Sequence, residues 1–550
     1  MRLTGAQILT ECLLEQGVDT VFGYPGGAVL NIYDALYEYR SKIRHILTCH
    51  EQGAAHAADG YARSTGRPGV VIATSGPGAT NLVTGIATAY LDSTPMVAVT
   101  GNVATGLLGK DSFQEVDITG ITTPVTKHNF IVKDVTRLAQ TVREAFAIAT
   151  SGRPGPVLID IPKDITARKT EYEPEKPARA AAKAVSKAAL DRAAKLIAAS
   201  ERPFILAGGG IRLAGAEAEL LEFARRIDAP VAATLMALGS FPASAPAFTG
   251  MIGMHGTRLS GAAASQCDLL IAVGTRFSDR VTCNEKLFAQ NAKILHIDID
   301  PAEINKNIPA AASVAGDAAL ALRGLCQRLA PARHEAWHRQ LEPFRCQIPA
   351  QRGNVTPQAV MEKLSRLTRG EAILCTDVGQ HQMWAAQYYG FEKPRRFISS
   401  GGLGTMGFGL GAAIGAQVGS PGARVVNVAG DGSFYMNLNE LATCAKYDLP
   451  VMELVMNNGV LGMVRQWQKL FYGSRFSHTT LGRDTDFGKL AEAFGVRGFT
   501  IKSAEDVEPV LTQALGVKGP TLVDCRVDLD ENVLPMVPAG GSIAEPLMEM

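Results

Sequence analysis

Gly430–Ser433, with the sequence Gly-Asp-Gly-Ser, and Asn457–Gly459, with the sequence Asn-Asn-Gly, each follow a short apolar run. The two runs, 425–429 and 451–456, are rich in β-branched residues and predict buried strands. Helical spacing over 437–446 completes a predicted strand–helix–strand unit. The carboxyl ends of parallel strands meet at one edge of a sheet, where ligands bind. The sequence therefore predicts that the two stretches lie side by side at that edge.

The oxygen atoms expected at this edge suit a hard cation. Asp431 offers a carboxylate, Asn458 an amide oxygen and Val460 a backbone carbonyl, and Mg²⁺ combines such ligands with water and phosphate oxygens. Gly430 and Gly432 carry no side chain, so a diphosphate can approach the backbone, and the helix that follows offers its amides to the anion. An ordinary turn at each strand end is the alternative, which the pairing of the two stretches disfavours.

Composition and charge exclude several classes of protein. The chain has 550 residues, 46% of them hydrophobic, which suits about three or four globular domains. Its 54 basic and 53 acidic residues leave a net charge of +1, which argues against nucleic-acid or membrane-surface binding through bulk charge. The sequence shows no membrane-length apolar run, no signal peptide and no Cys-x-x-Cys among its nine cysteines. We therefore expect a cytoplasmic protein with reduced thiols.

Strands and helices alternate in three blocks of the chain. Repeated strand–helix units with apolar strands predict an α/β fold of three doubly wound parallel-sheet domains. The first helix is expected within 1–14, with Thr4 as its cap. The predicted domains and connections are a first block at 1–165, a linker at 166–187, a central block at 188–330, a linker at 331–355, a third block at 356–530 and a tail at 531–550.

A carboxylate stands at a strand-to-helix corner of the first block. His45–Cys49 predicts a strand and 52–64 a helix, so Glu51 is expected at a carboxyl edge. The plainer alternative is that Glu51 only complements the helix dipole. A second glycine-rich loop, Ser75–Asn81, faces either a ligand or an adjoining subunit, and the sequence does not choose between them.

Three strand ends of the central block form an edge of the dinucleotide-binding type. Gly208–Gly210, Gly274–Arg276 and Asp298–Asp300 each follow an apolar run. Two of these ends carry glycine and one carries acid. No Gly-x-Gly-x-x-Gly follows a strand, so the nicotinamide fingerprint is missing. A tight turn is the plainer explanation of any one of these glycines.

Taken together, the motifs resemble the catalytic large subunit of acetohydroxyacid synthase (acetolactate synthase), a family of thiamine-diphosphate-dependent enzymes. The resemblance extends over nearly the whole chain. It departs from the family pattern at Asn102, Lys110, Ser278, Gly411 and Gly459–Val460, which leaves the branch, the inhibitor response and the substrate preference open. The matching motifs are Tyr24–Gly27, His50–Ala54, Ser75–Asn81, Lys127–His128, Ser151–Pro156, Gly253–Gly256, Gln380–Trp384, Gly401–Gly409, Gly430–Phe434 and Gly462–Val464.

The resemblance assigns a cofactor to each block. The first block would bind the pyrimidine of thiamine diphosphate, the central block FAD, and the third block the diphosphate and Mg²⁺. The active site would lie between the first block of one subunit and the third block of another. Residues implied for thiamine diphosphate are Val378, Gly379, Gln380, His381, Gly404, Met406, Gly430, Gly432, Ser433, Gly462 and Met463; those for Mg²⁺ are Asp431, Asn458 and the carbonyl of Val460; those for FAD are Arg153, Gly208, Gly209, Gly210, Thr234, Leu235, Met254, His255, Gly274, Arg276, Asp279, Val281, Asp298, Ile299 and Asp317.

The resemblance also implies a catalytic group. Glu51 would hydrogen-bond N1′ of the aminopyrimidine and so favour the tautomer whose 4′-nitrogen removes the C2 proton. Phe113, Gln114 and Lys163 would lie near the reacting centre, although an exposed loop amide is the plainer explanation of Gln114. Met406 would support the bent cofactor, with a core methionine as the alternative.

Two residues of the implied site concern specificity. The guanidinium of Arg280 suits the carboxylate of a second 2-ketoacid. The indole of Trp467 would favour a slightly larger alkyl group, a preference worth about 1–3 kcal/mol per methylene. The plainer alternatives are an ion pair of Arg280 with Asp279 or another neighbour, and core packing for Trp467.

The implied reaction decarboxylates pyruvate and ligates the hydroxyethyl unit to a second 2-ketoacid. Pyruvate as acceptor gives 2-acetolactate and 2-ketobutyrate gives 2-aceto-2-hydroxybutyrate, the first common step of branched-chain amino-acid biosynthesis. The alternatives in this class are a flavin-free catabolic acetolactate synthase, a pyruvate oxidase, a 2-ketoacid decarboxylase and a glyoxylate carboligase, the last disfavoured by Glu51. A noncatalytic nucleotide-binding regulator is the alternative from another class.

The expected partners are small 2-ketoacids and further copies of the chain. A homodimer or a dimer of dimers with shared active sites is implied, a regulatory small subunit is left open, and neither nucleic acid nor a membrane is expected.

Overall fold

The computed structural model describes residues 1–177, 184–345, 354–482 and 484–549. In these ranges the chain forms three six-stranded sheets, whose neighbouring strands are all parallel, and one two-stranded sheet. The predicted α/β class with three parallel sheets is confirmed. Three segments of the predicted linkers and tail lie outside the described residues: 178–183, 346–353 and residue 550. The exact domain limits stay predictions.

The inner strands of the first sheet are largely apolar, and all seven residues of one of its two central strands, Met96–Asn102, are buried. The elements of this part of the chain are β1 (Arg2–Thr4), α1 (Gly5–Glu15), β2 (Thr20–Tyr24), α2 (Leu30–Glu38), β3 (Arg44–Leu47), α3 (Glu51–Thr65), β4 (Gly69–Ala73), α4 (Pro77–Thr80), α5 (Val83–Leu91), β5 (Met96–Asn102), α6 (Ile118–Thr122), β6 (His128–Ile131), α7 (Leu138–Thr150), β7 (Pro156–Pro162), α8 (Lys163–Ala167) and β8 (Lys169–Glu171). The strand order is β3-β2-β4-β5-β7-β6.

The chain start differs from the prediction in one respect. The first helix begins at Gly5, because the residues before it form β1, which pairs antiparallel with β8. The predicted cap is confirmed, since the Gln7 amide donates to Thr4 Oγ1 at 3.2 Å and the Thr4 amide donates to Gln7 Oε1 at 3.1 Å. The start of the predicted 166–187 linker therefore contains a strand, β8, and its pairing with β1 cannot be predicted from local sequence.

The second sheet lies in the central part of the chain. Its elements are α9 (Lys187–Ala198), β9 (Pro203–Ala207), α10 (Gly210–Ala214), α11 (Glu217–Arg226), β10 (Val231–Ala233), β11 (Phe248–Met251), α12 (Arg258–Gln266), β12 (Leu269–Val273), α13 (Asp279–Thr282), β13 (Lys293–Asp298), β14 (Ala312–Ala315) and α14 (Ala318–Cys326), with strand order β11-β10-β9-β12-β13-β14. A further helix, α15 (Glu335–Leu341), lies in the predicted 331–355 linker. This segment is anchored because Trp337 is buried and its Nε1 donates to the Pro203 carbonyl at 3.0 Å.

The third sheet carries the stretches on which the sequence argument began. Its elements are α16 (Pro357–Thr368), β15 (Ile373–Thr376), α17 (Gln380–Tyr388), β16 (Phe397–Ser399), α18 (Gly409–Gly419), β17 (Val425–Gly430), α19 (Asp431–Asn437), α20 (Leu441–Lys446), β18 (Val451–Asn457), α21 (Gly462–Phe471), α22 (Phe487–Ala493), β19 (Arg497–Ile501), α23 (Val507–Gly516) and β20 (Thr521–Arg526). The strand order is β16-β15-β17-β18-β20-β19.

The helix predicted over 437–446 is wrong in its limits. Helix α19 already begins at Asp431, and a 3₁₀ turn over Leu438–Glu440 separates it from α20. The Asn437 side chain turns away to donate to the Gly407 carbonyl at 2.6 Å. The break directs Glu440 toward the first sheet, as described below.

Helices α3 and α18 join the first sheet to the third. A Cβ added at Gly415 would lie 1.8 Å from the Ala57 carbonyl oxygen, and one added at Gly60 would lie 2.0 Å from that of Ala412. The two backbones are thus in direct contact, which only glycine allows at these positions. Among the described residues, no helix is both long and apolar enough to cross a membrane.

Candidate active site

The ends of β17 and β18 bring the two opening stretches together. The strands pair in parallel with Gly430 opposite Met456, so the residues just beyond them share one edge. The Gly459 amide donates to Asp431 Oδ2 at 3.1 Å. Asp431 and Asn458 both line a narrow cavity of about 80 Å³. The predicted neighbourhood of the two stretches is therefore present.

Asp431 has an unused oxygen atom in this cavity. The residue is buried, and in the part of the chain that the structure describes its Oδ1 atom has no hydrogen-bond partner. Burial raises the pKa of the Asp431 carboxyl to about 6. Asn458 Oδ1 accepts from the Val460 amide at 3.2 Å and keeps a second lone pair. A buried carboxylate oxygen without a hydrogen-bond partner among the described residues, beside an amide oxygen, fits a hard cation such as Mg²⁺.

Most residues predicted for thiamine diphosphate and its metal line the same narrow cavity. The His381 ring packs directly on the end of β17, because a Cβ added at Gly430 would be 2.8 Å from His381 Nδ1. Burial lowers the pKa of His381 to about 3, so its ring is neutral. Gly404 is absent from this lining and lines a larger cavity instead. The predicted residues that line the narrow cavity are Val378, Gly379, Gln380, His381, Met406, Gly430, Asp431, Gly432, Ser433, Asn458, Val460, Gly462 and Met463.

Glu51 begins α3 at the carboxyl edge of the first sheet. It is half-buried, and the Asn81 side-chain amide donates to its Oε2 atom at 3.0 Å. A Cβ added at Gly78 would lie 3.2 Å from Glu51 Oε1. The Ser75–Asn81 loop therefore packs on the Glu51 carboxylate. The sequence argument singled out that loop but did not assign Asn81 to the site.

The other predicted catalytic residues follow β5 and β7 at the same edge. Gln114 has a φ of +60°, and a Cβ added at Gly76 would lie 2.9 Å from Gln114 Cβ, so the two loops are in contact. Phe113 is 87% exposed, and Lys163, the first residue of α8, is also exposed. None of these residues, nor Glu51, lines the Asp431 cavity. A single chain thus presents the two halves of the predicted site separately.

A cavity of about 980 Å³ opens at the carboxyl edge of the second sheet. Burial raises the pKa of Asp298 in this cavity to about 6 and lowers that of His255 to about 4. Gly208 is the one residue of the FAD prediction that does not line this cavity. It packs against the neighbouring strand end instead, since a Cβ there would lie 2.1 Å from the Gly274 carbonyl oxygen. Gly208 therefore serves close backbone packing. The predicted FAD residues in the lining are Arg153, Gly209, Gly210, Thr234, Leu235, Met254, His255, Gly274, Arg276, Asp279, Val281, Asp298, Ile299 and Asp317.

The large cavity extends to the third sheet, because Val378, Gly379 and Met463 line both cavities. Arg280 and Trp467 also line it. These two are the residues predicted to select the acceptor.

The contacts of Arg280 and Trp467 in one chain are modest. Arg280 is largely exposed and donates to Asp279 Oδ2 at 2.8 Å, which is the ion pair weighed as its plainer role. Within the described residues, Trp467 Nε1 is buried and has no hydrogen-bond partner. Its ring meets Phe471 edge-on, with centroids 5.8 Å apart. Both side chains border open cavity space rather than filling a core.

Two buried aspartates near the site were missed by sequence analysis. Asp377 follows β15 and accepts the Gly409 amide at 2.9 Å, which fixes the turn after Met406. Burial raises the pKa of Asp377 to about 6. Asp92 accepts the amides of Gly401 and Gly402 at 3.0 and 2.7 Å. Asp377 could have been predicted, because it is an acid directly after an apolar strand. The sequence around Asp92 has no comparable pattern.

Family models match the chain in three segments. A thiamine pyrophosphate enzyme N-terminal TPP-binding domain matches residues 3–121, the central domain of such enzymes matches 190–325, and their C-terminal TPP-binding domain matches 377–525. The fold and the strand-end site therefore define a thiamine-diphosphate-dependent enzyme.

Curated relatives narrow this class. A probable acetolactate synthase large subunit of Methanocaldococcus jannaschii is 48% identical over an alignment of 561 positions, which covers 98% of this chain and 94% of the relative. The acetolactate synthase isozyme 2 large subunit of Escherichia coli (strain K12) is 46% identical over 551 residues and all of both chains. The acetolactate synthase large subunit of Haemophilus influenzae is 43% identical, over 100% of this chain and 98% of the relative. The chain belongs to the acetolactate synthase large-subunit family, and the resemblance drawn from its motifs is confirmed.

Proposed function

We propose that the chain is the catalytic large subunit of an acetolactate synthase. It decarboxylates pyruvate and ligates the hydroxyethyl unit to a second 2-ketoacid, giving 2-acetolactate from pyruvate and 2-aceto-2-hydroxybutyrate from 2-ketobutyrate. The observation that carries the proposal is the meeting of Asp431 and Asn458 in one glycine-lined cavity at the strand ends. The names of the relatives support acetolactate synthesis rather than the oxidase and regulator alternatives.

The narrow cavity is proposed to hold the metal and diphosphate end of thiamine diphosphate. Asp431, Asn458 and the Val460 carbonyl would bind Mg²⁺, and the unused Oδ1 atom of Asp431 supports this set. Gly430 and Gly432 would let the diphosphate approach the backbone at the start of α19. When bound, thiamine diphosphate supplies the carbon nucleophile and the electron sink for loss of CO₂.

Glu51 is proposed to hold a proton against N1′ of the aminopyrimidine. Its carboxylate is oriented by Asn81, which leaves Oε1 for the ring. A carboxylate held at N1′ would favour the tautomer of the bound ring whose 4′-nitrogen can serve as the base for the C2 proton. Since Glu51 does not line the Asp431 cavity, we propose that these residues meet across two subunits of a homodimer or a dimer of dimers.

The large cavity is proposed to hold FAD. Its volume and its polar groups, among them the buried Asp298, support a dinucleotide at the edge of the second sheet. Arg280 would bind the carboxylate of the acceptor 2-ketoacid, and Trp467 would bound its alkyl group. Acetolactate synthesis has no net redox step, so the flavin would be structural.

The cellular setting is also part of the proposal. The relatives are named as large subunits, so we propose a regulatory small subunit as a partner of this chain. We propose a cytoplasmic location for the enzyme.

Glu51→Gln tests the reaction and the role of this residue together. Wild-type enzyme with thiamine diphosphate, Mg²⁺ and FAD should form 2-acetolactate from pyruvate, and both acetohydroxyacids when 2-ketobutyrate is added. The variant should lose about 10²- to 10⁴-fold in turnover, because a neutral amide is a poor partner for the N1′ proton. Product analysis and binding of thiamine diphosphate should be measured in parallel.

The two parts of this test separate cleanly. Failure of the wild-type enzyme to make either acetohydroxyacid would contradict the proposed function. Near-normal turnover of Glu51→Gln would contradict only the role of Glu51.

Asp431 gives the metal site a pH dependence. Its raised pKa of about 6 means that the cation-free carboxyl takes up a proton as the pH falls through that value. Mg²⁺ binds the carboxylate, so its affinity should fall by up to about tenfold per pH unit below pH 6 and level off above it. Calorimetric titration with Mg²⁺ and thiamine diphosphate should record this slope.

Asp431→Asn should bind Mg²⁺ weakly at every pH in the series. Asp528→Asn, an exposed change in the same part of the chain, is the matched control and should keep the wild-type slope. Unchanged metal affinity in Asp431→Asn would rule out the proposed ligand set.

Asp298 tests the flavin proposal. Purified protein should carry FAD, and Asp298→Ala should weaken FAD binding by about 10- to 100-fold through loss of a buried charged acceptor. Absorbance spectra and titration of stripped protein with FAD measure this. Asp191→Ala, an exposed change on α9, should leave the affinity unchanged. A colourless protein that takes up no added FAD would refute the assignment.

A further inference from the structure

The corner that carries Glu51 lies at an open edge of the first sheet. Strand β3 is the outermost strand, and within the described parts of the chain no further strand pairs with its outer side. Unpaired amides at such an edge need other acceptors when they are buried. Here the acceptors come from the residues that flank helix α20 of the same chain. The Leu47 amide donates to Tyr447 Oη at 2.9 Å, and the next two free amides turn to Glu440.

Glu440 holds the two residues that precede Glu51. The Cys49 amide donates to its Oε1 and Oε2 atoms at 3.1 and 3.2 Å, and the His50 amide donates to Oε1 at 3.1 Å. Thr443 Oγ1 donates to Oε2 at 2.6 Å. One carboxylate thus takes three donors, two of them from the backbone of the corner.

The Glu440 carboxylate packs against the first turn of α3. Glu440 is fully buried, and a Cβ added at Gly53 would lie 2.3 Å from its Oε1 atom. Glu440 lies at this position because a 3₁₀ turn over Leu438–Glu440 separates α19 from α20. A buried carboxylate is costly unless it is fully hydrogen-bonded, and two of the three donors to Glu440 belong to the corner itself.

We propose that Glu440 is a positioning residue that fixes the backbone from which Glu51 reaches the cofactor. Asn81 orients the carboxylate of Glu51, and Glu440 sets the point where its side chain begins. A displacement of about 1 Å at a reacting group can cost about 10²-fold in rate. The inference rests on the proposed function, because it requires Glu51 to act on the pyrimidine ring.

The chemistry of the contact distinguishes positioning from a role for charge. A glutamine at 440 can keep its oxygen on the Cys49 and His50 amides and place its NH₂ group toward Thr443. The Thr443 hydroxyl can turn to accept that hydrogen bond, since a hydroxyl both donates and accepts. If Glu440 only positions the backbone, Glu440→Gln should keep its function and Glu440→Ala should lose it. If its charge or a proton on it matters, both variants should lose that function.

The first measurement uses the protein without cofactors. Hydrogen–deuterium exchange followed by mass spectrometry should show at least about tenfold faster amide exchange in the 47–54 segment of Glu440→Ala, because Cys49 and His50 lose their acceptor. Glu440→Gln should keep nearly wild-type protection. Glu453→Ala is the matched control: it removes another buried glutamate, which Asn427 binds, and should leave this segment unchanged.

The second measurement follows the C2 proton of bound thiamine diphosphate as it exchanges with deuterium. Glu440→Ala should slow this exchange by about 10- to 100-fold, and Glu440→Gln by less than about threefold. If Glu440→Ala does not fold, Glu440→Gln with Thr443→Val takes its place, because the glutamine NH₂ then lacks its acceptor. That double variant should exchange more slowly than Glu440→Gln, while Thr443→Val alone should stay near wild type.

The outcomes separate this inference from the proposed function. Equal slowing in Glu440→Gln and Glu440→Ala, or normal C2 exchange in Glu440→Ala with a loosened 47–54 segment, overturns the positioning role. Normal C2 exchange in Glu51→Gln overturns the proposed role of Glu51 instead.

Discussion

The parallel pairing of β17 with β18 is the constraint on which the site depends. Placing Gly430 opposite Met456 sets the two strand ends level, and the residues beyond them then share one cavity. The cost of this arrangement is a desolvated carboxylate at Asp431, one oxygen of which has no hydrogen-bond partner in the described part of the chain. A cation that binds phosphate oxygens is the natural complement of such a group. The pairing of these two strands is thus the structural basis of the proposed metal site.

The same segment of chain serves both halves of the site. Helix α19 begins with Asp431, and the turn at its end delivers Glu440 to the corner that carries Glu51. Glycine residues allow α3 and α18 to pack with their backbones in contact, which holds the first and third sheets close together. Glu51 and Asp431 of one chain are therefore connected through packed elements of the structure, although they do not line one cavity. A site completed by a second chain would inherit its geometry from this connection.

Sequence reasoning succeeded where chemistry sits at the end of an apolar strand. Asp431 and Asn458 were placed correctly beside each other because strand ends in a parallel sheet have predictable neighbours. It failed where tertiary contacts decide. Nothing local announces that Asn81 turns to Glu51, or that a 3₁₀ turn at Glu440 interrupts a helical run. The pairing of β1 with β8 was likewise invisible, because strand partners distant in sequence leave no periodic signal.

The central claim is that Glu51 of one chain and Asp431 of another complete one active site. Chains carrying Glu51→Gln and chains carrying Asp431→Ala, each inactive alone, can be mixed, dissociated and reassembled with cofactors. Because a mixed dimer would contain one site with both residues intact, acetolactate formation should return to about a quarter of the wild-type rate. No recovery in mixtures shown by mass spectrometry to contain mixed dimers would contradict the account.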